Sequence, residues 1–150
     1  LVKKVQAGAT FIQTQAIFDI EPFEEWLAAA RAEGITEKAA ILAGVMPLAS
    51  AAEAEELRDR FTDFAIPDSI IERMKAAGDA AAQRKEGLAI CAEIIAKVKG
   101  AKGVKGIHIL SGGKEAAVPE LIASATPTAS PTWRGTTGPI STPSTLTVTR

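Results

Sequence analysis

Polar residues that can bind a ligand follow the apolar runs of this sequence at the points where strands would end. Gln15 closes the first run and Phe18 follows it closely, while Ser111 to Lys114 follow the last run. The Gln15 amide can both donate and accept hydrogen bonds, which suits the mixed edge of an amide-like heterocycle such as a pterin. Because parallel α/β folds bind ligands beyond the carboxyl ends of their strands, we expect these residues at a ligand site. A glutamine at a strand end also stabilises loops, and that alternative stays open.

His108 and Cys91 carry side chains that can react, but their surroundings favour structural roles. His108 lies inside the apolar run VKGIHIL, and the sequence holds no second histidine with which it could bind a metal. Cys91, the single cysteine, has apolar neighbours at helical spacing, so we expect a packed thiol. The stretch SGGK lacks the full GxxxxGK[ST] spacing of a phosphate-binding loop, and a turn before the last helix is the simpler interpretation. We therefore assign no catalytic or metal-binding residue.

Strand and helix signals alternate along residues 1–125. Apolar runs predict three strands, over residues 10–14, 39–45 and 104–110. Apolar residues at helical spacing predict helices over residues 21–33, 50–61, 79–98 and 115–124, with a further helix that starts at Pro67. Ser50 and Glu53 have the spacing of a capping box. The alternation favours an α/β fold whose parallel strands are joined by right-handed crossovers.

The strand pattern indicates a piece of a larger barrel. Residues 39–45 do not alternate between apolar and polar types, as expected of a strand that is covered on both faces. A closed TIM (β/α)8 barrel takes about 250 residues, whereas this chain supplies three predicted strands. The chain opens at Leu1 without a methionine, in what resembles a helix end before a turn at Gly8. We therefore expect residues 1–125 to form a partial TIM barrel, either a truncated fragment or a natural half-barrel.

Residues 126–150 differ in composition from the rest of the chain. All 18 acidic residues lie at or before Glu120, whereas residues 126–150 hold nine threonines, three serines and four prolines. Few apolar groups cluster there to offset the entropy of ordering, so this low-complexity tail is predicted to be disordered. Two alternatives stay open, namely a short terminal strand in the stretch ISTPSTLTVTR and a frameshifted sequence after Ala125.

Composition and charge exclude several classes of partner. A formal net charge of -1, with basic and acidic residues interleaved, gives no reason to expect nucleic acid as a ligand. No apolar stretch is long enough for a membrane helix, and the N-terminus lacks the features of a secretory signal. We therefore expect a cytoplasmic protein without a membrane partner, and the single cysteine fits a reducing compartment.

Four stretches, in order, resemble the methylenetetrahydrofolate reductase family. The stretch KVQAGATFIQTQAIFD resembles a family pattern in which a helix ends in an AGA turn and the next strand closes in Thr-Gln, aromatic residues and Asp. The resemblance continues through LAGVMPLAS, which is similar to the family's proline-terminated strand, and through FAIPDSIIERM. GVKGIHIL is similar to the final strand. The resemblance therefore implies that residues 1–125 form about the last three strand-helix units of the family's barrel.

The resemblance implies a flavin-dependent TIM barrel with a cytoplasmic role in one-carbon metabolism. FAD would take a hydride from NAD(P)H and pass it to 5,10-methylenetetrahydrofolate, and the protein would supply orientation and electrostatics. By match to the family pattern, Gln15 would contact the pterin of the folate, and Lys4 would meet a phosphate or ribose of FAD. The family's general acid and most of its flavin-binding residues would lie on earlier strands.

The sequence departs from the family pattern at three places. Ala16 and Ile17 stand where aromatic residues are common, which leaves Phe18 as the stacking surface for the substrate. After the last strand, Lys114 would replace an arginine that contacts substrate, although the loop before it differs from the family's. Glu53 stands where a glutamine contact is expected, and we assign it no role.

Two other functions stay open. A half-barrel that completes itself by association with another polypeptide would be a folate- or partner-binding subunit without its own catalysis. A pterin-dependent methyltransferase-like barrel would bind a folate without any flavin. In the complete protein we expect either a homo-oligomer or a partner subunit.

Overall fold

The computed structural model describes residues 1–125 and 145–149 of the chain. Every helix within these described residues is too short or too polar to span a bilayer. The predicted disorder of residues 126–144 falls outside the described residues. In chain order the elements are α1 (Val2–Gln6), β1 (Phe11–Ala16), α2 (Ile20–Ala32), α3 (Ile35–Lys38), β2 (Ala40–Val45), α4 (Ala51–Arg60), α5 (Asp68–Ala76), α6 (Ala80–Gly100), β3 (Val104–Leu110), a 3-10 turn (Glu115–Ala117), α7 (Val118–Ala125) and β4 (Thr145–Thr149).

The strands form one parallel sheet in the order β1-β2-β3-β4. Successive strand-helix units produce parallel strands that lie next to each other in chain order. The predicted α/β fold is therefore confirmed, and β1, β2 and β3 lie where the sequence predicts strands. The sheet is consistent with a partial barrel, which itself stays a prediction.

Strand β4 departs from the expectation of a disordered tail. Its residues Thr145–Thr149 pair in parallel with the second half of β3, from Gly106 opposite Thr145 to Leu110 opposite Thr149. The edge of β3 offers a row of backbone donors and acceptors, which a β-branched segment can pair with even when its composition is polar. The terminal strand that stayed open as an alternative is therefore present over these residues.

Side-chain caps set the starts of three helices. Asp19, Ser50 and Asp79 precede α2, α4 and α6, and each side chain accepts a hydrogen bond from a backbone N–H of the first turn. At α4, the Glu53 N–H donates to Ser50 Oγ at 3.1 Å, and Glu53 Oε2 accepts the N–H of Ala49 at 2.6 Å. The predicted cap at Ser50 is therefore confirmed. In a usual capping box the Glu53 side chain would accept the Ser50 N–H, whereas here it accepts the N–H of the preceding residue, Ala49. The short helix α3 is not predicted, because four residues cannot display a helical period.

Helix α6 covers one face of the sheet and completes the main core. On this face β2 and β3 present alternate residues, and α6 presents an apolar stripe, all of them buried. Burial raises the pKa of Cys91 to about 12, so its thiol stays protonated, and the predicted packed role is confirmed. The core residues of this layer are Ile41, Ala43, Val45, Ile107, Ile109, Leu88, Cys91, Ile94, Ile95 and Val98.

Gly87 lets helix α6 approach the loop that follows β2. A Cβ atom at Gly87 would lie 1.9 Å from the carbonyl oxygen of Leu48 and 2.8 Å from its carbonyl carbon. Both are backbone atoms, and Leu48 is itself 2% exposed, so the loop has little room to move away. Because Gly87 has no side chain, α6 can pack directly against the loop at the carboxyl end of β2.

Replacing Gly87 by alanine is expected to destabilise the fold by about 3 kcal/mol, because the new methyl group would overlap the Leu48 carbonyl. Gly100→Ala is the matched control: a Cβ atom there meets nothing within 4 Å, and alanine favours the last turn of α6. Urea unfolding of the two variants and the parent chain measures the difference. Equal unfolding free energies for Gly87→Ala and the parent would contradict the close approach.

Candidate ligand-binding site

A groove of about 670 Å³ runs along β1, bounded by helix α2 and by the segment between α4 and α5. Its lining combines aromatic side chains with amide, carboxylate and ammonium groups. Three of the four predicted site residues, Lys4, Gln15 and Phe18, line this groove, whereas Lys114 does not. Other lining residues include Phe11, Asp19, Phe23, Trp26 and Asp63.

Gln15 lies at the carboxyl end of β1 with an exposed side chain. The ladder between β1 and β2 is irregular here, because β1 carries an extra residue at Thr14 and Gln15. The Gly44 N–H of β2 donates to Thr14 Oγ1 at 2.8 Å instead of meeting a backbone carbonyl. Bulges of this kind redirect side chains and recur next to active sites. The predicted amide is therefore at a strand end, and its side chain lines the groove.

Phe18 forms part of the groove wall. Its ring meets that of Phe64 edge to face, with centroids 6.2 Å apart, and Phe64 in turn contacts Phe61 at 5.3 Å. Phe18 is 5% exposed, so it offers a ligand little area for stacking. This packing anchors the segment between α4 and α5 beside Gln15, and the predicted substrate contact of Phe18 stays a prediction.

Lys4 adds positive charge to the same groove. It lies in the short helix α1, and its side chain is exposed where it lines the groove. An exposed ammonium can meet a phosphate or a ribose hydroxyl as a point charge. Lys4 thus has an environment that suits its predicted role, which stays a prediction.

Lys114 is held by Glu53, away from the groove. Its Nζ atom forms an ion pair with Glu53 Oε1, and the two side chains are 15% and 27% exposed. Glu53 also accepts the Ala49 N–H, so one carboxylate joins the start of α4 to the loop that follows β3. This pairing gives Lys114 a structural partner, and its predicted substrate contact stays a prediction.

The glycine-rich loop after β3 is a tight turn. The Lys114 N–H donates to the Ser111 carbonyl at 3.0 Å, and Gly112 and Gly113 have φ angles of 57° and 83°. Such angles favour glycine, which has no Cβ atom. The turn leads directly into the 3-10 turn before α7, as the simpler interpretation of SGGK predicts.

His108 is buried in β3 and lies outside the groove lining. It sits opposite Gly44 of β2 in the ladder. Burial lowers the pKa of His108, so the neutral imidazole is favoured around pH 7. These surroundings agree with the structural role that the sequence favours.

Three residues of the groove and of the bulge beside it have no role predicted from the sequence: Thr14, Gly44 and Asp63. A glycine inside a strand often marks a bulge or a close backbone approach, so Gly44 carries the one available signal. Asp63 reaches the groove from the segment between α4 and α5, and no local pattern connects that segment with β1. Finding it requires the tertiary structure.

The parallel sheet and the groove at the end of β1 define an α/β protein with a candidate ligand site of mixed polarity. The sequence profile of the family described as methylenetetrahydrofolate reductase matches residues 1–126. The chain belongs to the methylenetetrahydrofolate reductase family, and the resemblance seen in the sequence is confirmed.

A relative from Caenorhabditis elegans, described as a probable methylenetetrahydrofolate reductase (NADPH), is 27% identical over 125 residues. The similarity covers 83% of this chain and 18% of the relative. The chain therefore spans less than a fifth of that protein's length.

The ion pair between Glu53 and Lys114 is expected to stabilise the fold, with a coupling free energy of about 1 kcal/mol, because both side chains are partly buried. A double-mutant cycle with Glu53→Gln and Lys114→Met, followed by urea unfolding, measures this coupling. The pair Glu56 and Arg60 is the control, since its side chains are 73% and 70% exposed, and its coupling is expected to be close to zero. Equal couplings for the two pairs would show that Lys114 is not held as described.

Proposed function

We propose that this chain is the C-terminal part of a (β/α)8 barrel that reduces 5,10-methylenetetrahydrofolate to 5-methyltetrahydrofolate with electrons from NAD(P)H. The observation that carries the proposal is the exposed Gln15 amide, which lines a groove at the carboxyl end of β1 in a chain of this family. The complete protein works in cytoplasmic one-carbon metabolism, as a homo-oligomer or with a partner subunit.

The chemistry of the groove suits a pterin. The Gln15 side chain supplies a carbonyl acceptor and an NH₂ donor, which match the mixed edge of the pterin ring. In the same groove the half-buried ring of Trp26 supplies apolar lining for the flat ring, and it stacks on the buried ring of Phe23 with centroids 5.9 Å apart. Apolar walls contribute affinity, and a few polar groups fix the orientation of the ligand.

FAD is the cofactor of the proposed reaction, and it would supply hydride transfer between the nicotinamide and the folate. Among the described residues, the exposed ammonium of Lys4 fits a phosphate or ribose of this group, because it lines the same groove as Gln15. Lys4 would bind and orient the cofactor at that point. The remaining flavin contacts and the general acid are assigned to earlier strands of the barrel.

We assign the preceding strand of the barrel to the outer edge of β1. Within residues 1–125 and 145–149, β1 pairs with β2 alone, and Phe11 at its start is 57% exposed. A strand edge with unpaired backbone groups and an exposed aromatic ring favours the addition of another strand. That strand would fill the groove beside Phe11, and the part of the groove at Gln15 would remain for the ligand. Since the chain spans 18% of the length of its relative, the earlier barrel strands would come from the rest of such a protein.

One observation favours a second candidate, a half-barrel that binds folate or a partner without its own catalysis. In a closed barrel the last strand pairs with the first, whereas here β4 occupies that edge of β3. Because β4 already covers the outer edge of β3, only the edge at β1 would need a strand from a partner. The two candidates differ in whether β4 must leave β3 when the barrel closes. No observation favours the methyltransferase-like alternative.

Gln15→Ala in the complete protein is expected to weaken the binding of 5-methyltetrahydrofolate at least about tenfold and to leave FAD binding within about twofold. The reason is that the substitution removes the amide that meets the pterin while Lys4 is untouched. Titration calorimetry with 5-methyltetrahydrofolate and with FAD measures both affinities.

Gln13→Ala is the matched control, since Gln13 is the same residue type, is exposed on the same strand and lines the same groove away from the strand end. It is expected to retain folate affinity within about twofold. Equal losses of folate and FAD affinity in Gln15→Ala, or equal losses of folate affinity in the two variants, would contradict the assigned role.

A further inference from the structure

The ladder between β1 and β2 changes register just before the groove. Gln13 pairs with Leu42, but Ala16 pairs with Gly44, so three steps along β1 match two along β2. In a regular ladder Gln15 would lie opposite Gly44. The extra residue removes Gln15 from that register position, and Ala16 takes it instead. Bulges are rare in parallel pairs, so a specific local cause is expected.

The Thr14 hydroxyl supplies the hydrogen bonds that hold this bulge. Its Oγ1 atom accepts the Gly44 N–H at 2.8 Å and donates to the Gln15 carbonyl at 2.8 Å. One hydroxyl can do both, because it has one donor and two acceptor sites. On the other side of Gly44, its carbonyl accepts the Ile17 N–H at 2.9 Å. The polar backbone groups of Gly44 are thus satisfied around the bulge.

Gly44 supplies the space that the bulge needs. A Cβ atom at Gly44 would lie 2.5 Å from the Gln15 carbonyl oxygen and 2.6 Å from that of Thr14. Both are backbone atoms, so a side chain at this position would push the bulged peptide out of place. The hydroxyl of Thr14 and the missing side chain of Gly44 therefore act on the same peptide group.

We propose that Thr14 and Gly44 are positioning residues for ligand binding, because the bulge that they hold takes Gln15 out of register with β2 and so sets the position of its amide in the groove. This inference rests on the proposed function, in which Gln15 contacts the pterin. Thr14 also lines the groove, but its hydroxyl is engaged with Gly44 and with the Gln15 carbonyl, so we assign it a positioning role through Gln15.

The test compares Thr14→Val, which has a similar shape but no hydroxyl, with Thr14→Ser, which keeps the hydroxyl. The probe is 5-methyltetrahydrofolate, titrated into the complete protein. Thr14→Val is expected to bind it about five- to tenfold more weakly, while Thr14→Ser stays within about twofold of the parent. If Thr14→Val does not fold, Thr14→Ala also removes the hydroxyl without adding bulk and is expected to give the same loss.

Coupling to Gln15 separates positioning from a general structural effect. If Thr14 acts through Gln15, Thr14→Val is expected to cause no further loss of affinity in the Gln15→Ala background. Amide hydrogen exchange supplies a readout that needs no ligand: exchange at the Gly44 N–H is expected to become faster in Thr14→Val and to stay unchanged in Thr14→Ser.

The failures of the two proposals differ. Unchanged affinity in Thr14→Val, beside a weakened Gln15→Ala, would overturn the positioning role alone. The same holds if Thr14→Val weakens binding equally with and without the Gln15 side chain, or if the Gly44 N–H keeps its protection. Unchanged affinity in Gln15→Ala would reject the proposed function and the positioning role together.

Discussion

The close contact between β1 and β2 at Gly44 is the constraint that sets the position of Gln15 beside the groove. The carbonyl groups of Thr14 and Gln15 lie against Gly44, where any side chain would collide with their oxygens. Because that space is empty, β1 can carry an extra residue, and the Thr14 hydroxyl can satisfy the Gly44 N–H. The strand end therefore departs from the ladder at Gln15, whose exposed amide lies at the place where parallel α/β folds bind ligands.

The carboxyl ends of the three main strands differ in what they offer a ligand. At β1 the amide of Gln15 lies in an open groove, whereas at β3 the cation of Lys114 is bound by Glu53. The loop after β2 is fixed by α6 at Gly87 and by the Glu53 carboxylate. The ends of β2 and β3 are thus held by contacts within the chain, and the groups of the candidate site lie beside β1. This division agrees with a chain that supplies one wall of a larger site.

The sequence predicts the features of this fold that depend on neighbouring residues. The strand runs, the helix start after Ser50 and the packed thiol of Cys91 all follow from local composition and spacing. The partners of Lys114 could not be predicted in this way, because Glu53 is 61 residues away in the chain. The packing of Phe18 could not be predicted either, because its contact Phe64 comes from another segment of the chain. The edge of β3 likewise orders part of a tail whose composition predicts disorder.

The most direct test of this account is a crystal structure of the complete protein with bound 5-methyltetrahydrofolate. The account predicts the pterin ring beyond the carboxyl end of β1, within hydrogen-bonding distance of the Gln15 side-chain amide, with Thr14 Oγ1 still bonded to the Gly44 N–H. A pterin bound at the amino-terminal ends of the strands, or at the carboxyl ends but without contact to Gln15, would contradict it.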